Sequence, residues 1–129
     1  MTFDAAHRLP EYDGKCKNLH GHTYKVIATV CKGTLNQGMV IDFGILKMEL
    51  KKILEKFDHA TILSSSDDEL FRHLYNLGNE VVLLPEDQPT AEVMSRYIYN
   101  ILSSQLNTQS LIVKEVTVYE TPTNWATFG

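Results

Sequence analysis

The sequence predicts an α+β fold in which an antiparallel sheet is covered on one face by two amphipathic helices. Three observations predict it. Residues 20–31 alternate apolar and polar side chains with the period of a strand, and residues 111–121 form a β-branched run. Two other stretches, 43–57 and the segment after Thr90, repeat apolar residues at i, i+3 and i+4, as amphipathic helices do. With 129 residues, 43% apolar and 22% charged, the chain has the size and balance of one globular domain spanning 1–129.

Taken in order, residues 2–8 form a short strand, and the polar, glycine-containing residues 11–18 form a loop. Along residues 20–31, His20, His22, Tyr24, Val26, Ala28 and Val30 share one face. Residues 33–38 read as a turn, and 39–41 as a returning strand that closes a hairpin. Asp42 is the expected N-cap of the first long helix, whose buried stripe is Phe43, Leu46, Leu50, Ile53, Leu54 and Phe57. A shorter helix over 67–75 and a short strand over 81–84 follow. Thr90 caps the second long helix, which buries Val93, Met94, Tyr97, Ile98, Ile101 and Leu102. The final strand sets Val116, Val118 and Glu120 on one face. This gives an antiparallel sheet with one face uncovered, and a second subunit is the expected cover.

Composition excludes several classes. The formal charge of −4 is spread along the chain with no clustered basic stripe, so no nucleic-acid partner is expected. The lysines between 47 and 56 alternate with Glu49 and Glu55, as on a solvated helix face. No run of about 18 apolar residues exists to span a membrane, and no export signal opens the chain, so the expected compartment is the cytoplasm. Two cysteines are a thin framework for a disulfide-stabilised domain. Cys31, in an apolar strand, is expected to be a small buried hydrophobe. Cys16 lies in a polar loop between Lys15 and Lys17, and neighbouring positive charge favours a thiolate.

The clearest chemical signal is His20-Gly21-His22. On a strand, residues i and i+2 project to the same side, so both imidazoles reach one metal ion. Gly21 between them permits a close approach. His7, on the first strand, is the natural third ligand if that strand pairs beside the second, and three histidines with an open fourth position describe catalytic zinc. The plainer alternative is surface histidines at a strand start. Asp58-His59 follows the first long helix; it is either a helix terminus or a carboxylate–imidazole pair that tunes Cys16. Glu120 ends a buried strand face, where a carboxylate is costly unless paired. Either the strand has run out into solvent there, or Glu120 accepts bonds from a ligand with adjacent N–H donors, such as an amino-pyrimidinone ring. His73 fits no spacing and reads as a helix-surface residue.

Cys16-Lys17-Asn18-Leu19-His20-Gly21-His22 resembles the 6-pyruvoyl-tetrahydropterin synthase family, most closely its bacterial queuosine-pathway branch that makes 6-carboxy-tetrahydropterin. Supporting stretches are Phe3-Asp4-Ala5-Ala6-His7-Arg8-Leu9, Gly38-Met39-Val40-Ile41-Asp42-Phe43, Asp58-His59, Pro89-Thr90-Ala91-Glu92 and Val118-Tyr119-Glu120-Thr121. They cover nearly the whole chain. The three-residue gap between Cys16 and His20 favours the carboxy branch over the pyruvoyl branch. The resemblance implies His7, His20 and His22 as Zn2+ ligands and Cys16 as the catalytic base, with Asp58 and His59 completing its triad. It further implies Glu120 as the pterin anchor, with Thr90 and, more weakly, Glu92 lining the same pocket. The implied fold is the tunnelling fold, an antiparallel four-stranded sheet with two long helices on one face, assembled as an oligomeric barrel, typically a hexamer of two trimers with active sites between subunits. The implied substrate is 7,8-dihydroneopterin triphosphate, and the products are 6-carboxy-5,6,7,8-tetrahydropterin, acetaldehyde and triphosphate. The runner-up is triphosphate elimination to a 6-pyruvoyl product. A different class of reading is a non-catalytic zinc protein whose fourth ligand is Cys16. A cysteine hydrolase using Cys16 and His59 leaves the three histidines unexplained.

Overall fold

The computed structural model describes residues 1–85 and 88–129. Its elements run β1 (Thr2–His7), a 3-10 turn (Lys15–Lys17), β2 (His20–Lys32), α1 (Phe43–Leu54), β3 (Thr61–Ser64), α2 (Asp68–Asn76), β4 (Val81–Leu84), α3 (Ala91–Leu106), β5 (Leu111–Thr121) and β6 (Asn124–Phe128). They form one six-stranded sheet in the order β4-β3-β1-β2-β5-β6. Strands β1, β2, β5 and β6 pair antiparallel, whereas β3 pairs parallel with both β1 and β4.

The sheet is therefore mixed and six-stranded, not four-stranded and antiparallel. Two strands escaped the sequence pattern for different reasons. All four residues of β3 are buried, so it shows no alternation to detect. β6 is five residues long and largely exposed, and it follows β5 after only two residues. The expected hairpin over 39–41 is also corrected. Asn36 and Met39 form one isolated bridge around Gln37 and Gly38, both at positive φ, and no strand follows. β2 already has β1 on one edge and β5 on the other, so a returning strand has nowhere to pair.

The core lies between one sheet face and the two long helices. Asp42 caps α1 by accepting from Gly44 N at 2.6 Å, and Leu50, Ile53 and Leu54 are buried. Phe57 is buried beyond the helix end, while Phe43 is 77% exposed, so the stripe begins a turn later than expected. In α3, capped by Thr90, the side chains of Met94, Ile98 and Leu102 are fully buried. They meet Phe3, Tyr24, Val26, Val113, Val116 and Val118 from the sheet. Burying each such side chain contributes about 1.5–3 kcal/mol.

The alternate residues Asp4, Thr23, Lys25 and Ile27 are exposed, so the other sheet face is open in the single chain. Cys31 belongs to that open face, because its odd position puts it opposite Val30, and it is exposed rather than buried. Both cysteines are free thiols. Among the described residues, no helix is long and apolar enough to cross a membrane.

Candidate metal centre and active site

The antiparallel pairing of β1 with β2 sets His7 directly opposite His20 and His22 opposite Ala5. All three histidines therefore project to the helix-covered face, at the end of the sheet where α3 begins. Their ligand nitrogens lie within 4.8 Å of one another. Gly21 separates two of them, and a Cβ there would stand 3.2 Å from the Ala5 carbonyl oxygen. The close approach foreseen at Gly21 is thus made by the neighbouring strand.

Second contacts fix the tautomers. His7 Nδ1 lies 2.8 Å from the Pro89 carbonyl oxygen, and His20 Nδ1 lies 2.7 Å from that of Asn18. A carbonyl only accepts, so each Nδ1 carries the proton and donates it. Each neutral ring is left with a bare acceptor at Nε2. Those two Nε2 atoms stand 3.2 Å apart. Two lone pairs facing one another repel, and a cation between them removes the conflict. His22 Nε2 is also buried without a hydrogen-bond partner. The donor set suits zinc, which takes neutral imidazole nitrogens. Burial holds both His7 and His22 below the usual histidine range, favouring the neutral form that binds metal.

Glu120 is part of this centre. Its Oε1 lies 3.5 Å from His22 Nε2 and its Oε2 lies 3.8 Å from His7 Nε2. Tyr24 packs beneath, its ring edge-on to those of His7 and His22 and stacked 5.0 Å from Phe3. Burial pushes the Tyr24 hydroxyl well above the ordinary tyrosine range, with the Glu120 charge adding to it.

The remaining candidates are spread more widely. Cys16 sits half-buried in the 3-10 turn, where its carbonyl accepts from Leu9 N at 2.8 Å. It does not join the histidine cluster among the described residues. Within one chain the grouped ligand set is therefore the three histidines without Cys16. Asp58 and His59 pair with each other, Oδ2 to Nδ1 at 3.1 Å, along the outer edge of β1. Asp58 Oδ1 accepts from Asp4 N, and His59 N donates to Asp4 O, so the pair continues the sheet edge before β3 begins. The hydrogen bond from Asp4 N, then the one from His59, holds the Asp58 carboxyl below the usual range. The His59 side chain is 80% exposed, and its φ of 60° turns the chain sharply. Within one chain no hydrogen bond or ion pair joins Cys16 to either residue, among the described residues.

Thr90 caps α3, its Oγ1 accepting from Val93 N at 3.4 Å, one residue after the Pro89 carbonyl that orients His7. Glu92 is exposed in the first turn of α3. Two features had no signal in the sequence: the Asn18 and Pro89 carbonyls, and the Arg8–Asp67 pair beside His7. Arg8 donates Nε–H and Nη2–H to the two Asp67 oxygens at 2.8 and 2.7 Å.

A family model described as 6-pyruvoyl tetrahydropterin synthase matches residues 1–129. The chain belongs to this family. A relative from Rickettsia conorii, named 6-carboxy-5,6,7,8-tetrahydropterin synthase, is 39% identical over 95% of this chain and 91% of its own length. One of the same name from Haemophilus influenzae is 36% identical over 99% of this chain and 94% of its own. Among solved structures, an uncharacterised protein from Wolinella succinogenes superposes with a TM-score of 0.84 at 24% identity, covering 98% of this chain and 93% of that one. The 6-pyruvoyltetrahydropterin synthase of Plasmodium vivax superposes with a TM-score of 0.76 at 27% identity, covering 98% and 90%. The α+β architecture with its curled mixed sheet is thus that of the 6-pyruvoyl tetrahydropterin synthase family.

Proposed function

We propose that this protein is a zinc-dependent 6-carboxy-5,6,7,8-tetrahydropterin synthase of queuosine biosynthesis. It converts 7,8-dihydroneopterin triphosphate to the carboxy-tetrahydropterin, acetaldehyde and triphosphate. The observation that carries the reading is the convergence of His7, His20 and His22, with two bare Nε2 acceptors held 3.2 Å apart. The names of the relatives supply the product class, a 6-carboxy-tetrahydropterin.

His7, His20 and His22 hold the zinc. When bound, it supplies Lewis-acid polarisation of the substrate's side-chain oxygens. Cys16 takes and returns a proton on the substrate side chain. Asp58 orients His59, and His59 tunes Cys16. Both are bonded to Asp4 on β1, and no hydrogen bond or ion pair among the described residues joins either to the Cys16 of its own chain, so a neighbouring subunit's thiol is the working partner in this reading. The open sheet face and the exposed Phe43, Ile45 and Met48 support a homohexamer of two trimers with sites between subunits. Glu120 anchors the pterin ring, and Thr90 and Glu92 border its pocket. The enzyme works as a single domain in the cytoplasm.

Incubation with 7,8-dihydroneopterin triphosphate tests this. Acetaldehyde together with 6-carboxy-tetrahydropterin is the expected outcome. A 6-pyruvoyl product without acetaldehyde would move the chain to the pyruvoyl branch, and no turnover by zinc-loaded protein would sink both.

A further inference from the structure

The sheet ends on one side at β4, and the outer edge of that strand is open. Thr61 N donates to the Glu80 carbonyl at 3.0 Å and Ser65 N to that of Leu84 at 2.9 Å, at the two ends of the parallel β3–β4 register. In such a ladder, successive residues turn their backbone groups alternately towards and away from the neighbouring strand. Glu80, Val82 and Leu84 therefore bond to β3, while Val81 and Leu83 turn their N–H and C=O groups outward. None of these outward groups has a partner among the described residues. Sheet edges are commonly blunted by a proline, a lysine or a bulge. Within Val81-Val82-Leu83-Leu84 there is none of these, and Leu83 is 40% exposed.

Beside this edge, between β4 and the two long helices, lies a cavity of about 450 Å³. Its floor is apolar, made by Ile53 of α1, Phe57 just beyond it, and Tyr97 and Ile101 of α3. Lys56 and Glu80 flank it, and neither side chain is in an ion pair among the described residues. Lys52, also at the rim, is already bonded to Glu49 at 2.7 Å. We propose that β4 is a docking edge for an extended peptide segment of a partner protein, which joins the sheet as a seventh strand. Pairing with Val81 and Leu83 supplies the affinity. One apolar side chain enters the cavity, flanked by an acidic residue for Lys56 and a basic one for Glu80.

The edge and the cavity together fit this one kind of occupant. Outward donors and acceptors at strand spacing are matched by another extended backbone, and a compact ligand on the cavity floor leaves them unpaired. Successive side chains of a strand fall on opposite faces, so alternate ones reach the cavity. Ile62 pairs with His7 on one side and Val82 on the other. β3 and β4 therefore separate the docked segment from β1 and the metal centre.

The probe is a short capped peptide alternating valine with lysine, threonine and glutamate, beside two N-methylated versions that each block one of its edges. Binding to intact protein is followed by fluorescence anisotropy and by hydrogen exchange at single-residue resolution. Without peptide, the Val81 and Leu83 amides exchange fast and those of Val82 and Leu84 are protected. At about 100 times its Kd, the peptide slows exchange at Val81 and Leu83 by about 100-fold. One methylated version fails to bind and the other still binds. Leu83→Pro removes an N–H that β3 does not use, so it abolishes binding while circular dichroism stays native. Lys56→Glu, on the exposed rim, weakens binding by about 5-fold, the scale of an exposed ion pair. Val81 and Leu83 amides already protected in the free protein would overturn the proposal, because another copy of the chain then fills the edge. Absence of peptide binding, or equal binding by both methylated versions, would overturn it as well.

Discussion

His7 and His20 face each other across the β1–β2 pair with their Nε2 atoms 3.2 Å apart, each ring having committed its one proton to a backbone carbonyl. Two facing lone pairs repel, and a cation between them would relieve the conflict, so the three histidines could hold one. Purified protein is expected to carry about one zinc per chain. His20→Ala and His22→Ala should each lose most of it and all turnover, as read by elemental analysis beside an activity assay. Full zinc in both variants would show that the ion sits elsewhere.

Acid should destabilise the metal-free protein in a definite window. Burial lowers the pKa of His7 and His22 in the folded state, whereas the unfolded chain takes up those protons near 6.5. The unfolded state then binds more protons below that pH, so stability falls as pH drops through about 6.5. Asp58 and Asp67, whose carboxyls are held low, act only below about pH 4. The urea midpoint of metal-free protein should fall between pH 7 and pH 5, and His22→Gln should flatten that slope. A midpoint that rises on acidification would contradict the assignment.

Cys16→Ala should keep zinc and lose turnover, because the thiol lies outside the histidine cluster. His59→Ala should behave likewise. If the thiol and the imidazole meet between subunits, co-refolding the two inactive variants regenerates some wild-type sites and recovers part of the activity. Recovery absent from verified mixed oligomers would place both groups in one chain's site.

Arg8→Ala leaves the 5%-exposed Asp67 carboxylate without its bidentate partner. Removing one member of a fully buried pair costs about 3–5 kcal/mol, and Arg8 retains some solvent, so about 2–3 kcal/mol is expected. Chemical denaturation reads it directly. Because Arg8 follows His7, the same variant should also bind zinc more weakly.

Tyr24 carries a fully buried hydroxyl with no partner among the described residues. Tyr24→Phe is therefore expected to change stability by less than about 1 kcal/mol, since no hydrogen bond is lost. Tyr24→Ala should cost about 3–5 kcal/mol through the cavity it leaves beneath the metal site. A large loss in Tyr24→Phe would reveal a bound water holding that hydroxyl.

The histidine cluster was legible because strand alternation is strict: His20 and His22 had to share a face, and one pairing brought His7 opposite. The helices were legible from their caps, Asp42 and Thr90, both of which accept the expected backbone bond. β3 was not, since burial on both faces erases the pattern that marks a strand. The setting of Asp58 and His59 was hidden for another reason. It depends on backbone bonds to Asp4, and backbone groups carry no side-chain signature. The same holds for Pro89, whose contribution to the metal centre is a carbonyl that any residue could offer.

That carbonyl has a consequence for how the protein is made. The three imidazoles emerge early in synthesis, yet the acceptor that sets the His7 tautomer arrives only with Pro89, and Glu120 comes near the end. A ribosome-bound chain finished only through β2 holds the three nitrogens without either support. The His7 ring therefore gains the acceptor that sets its tautomer only once the chain has reached the start of α3, so the cluster matures late in synthesis.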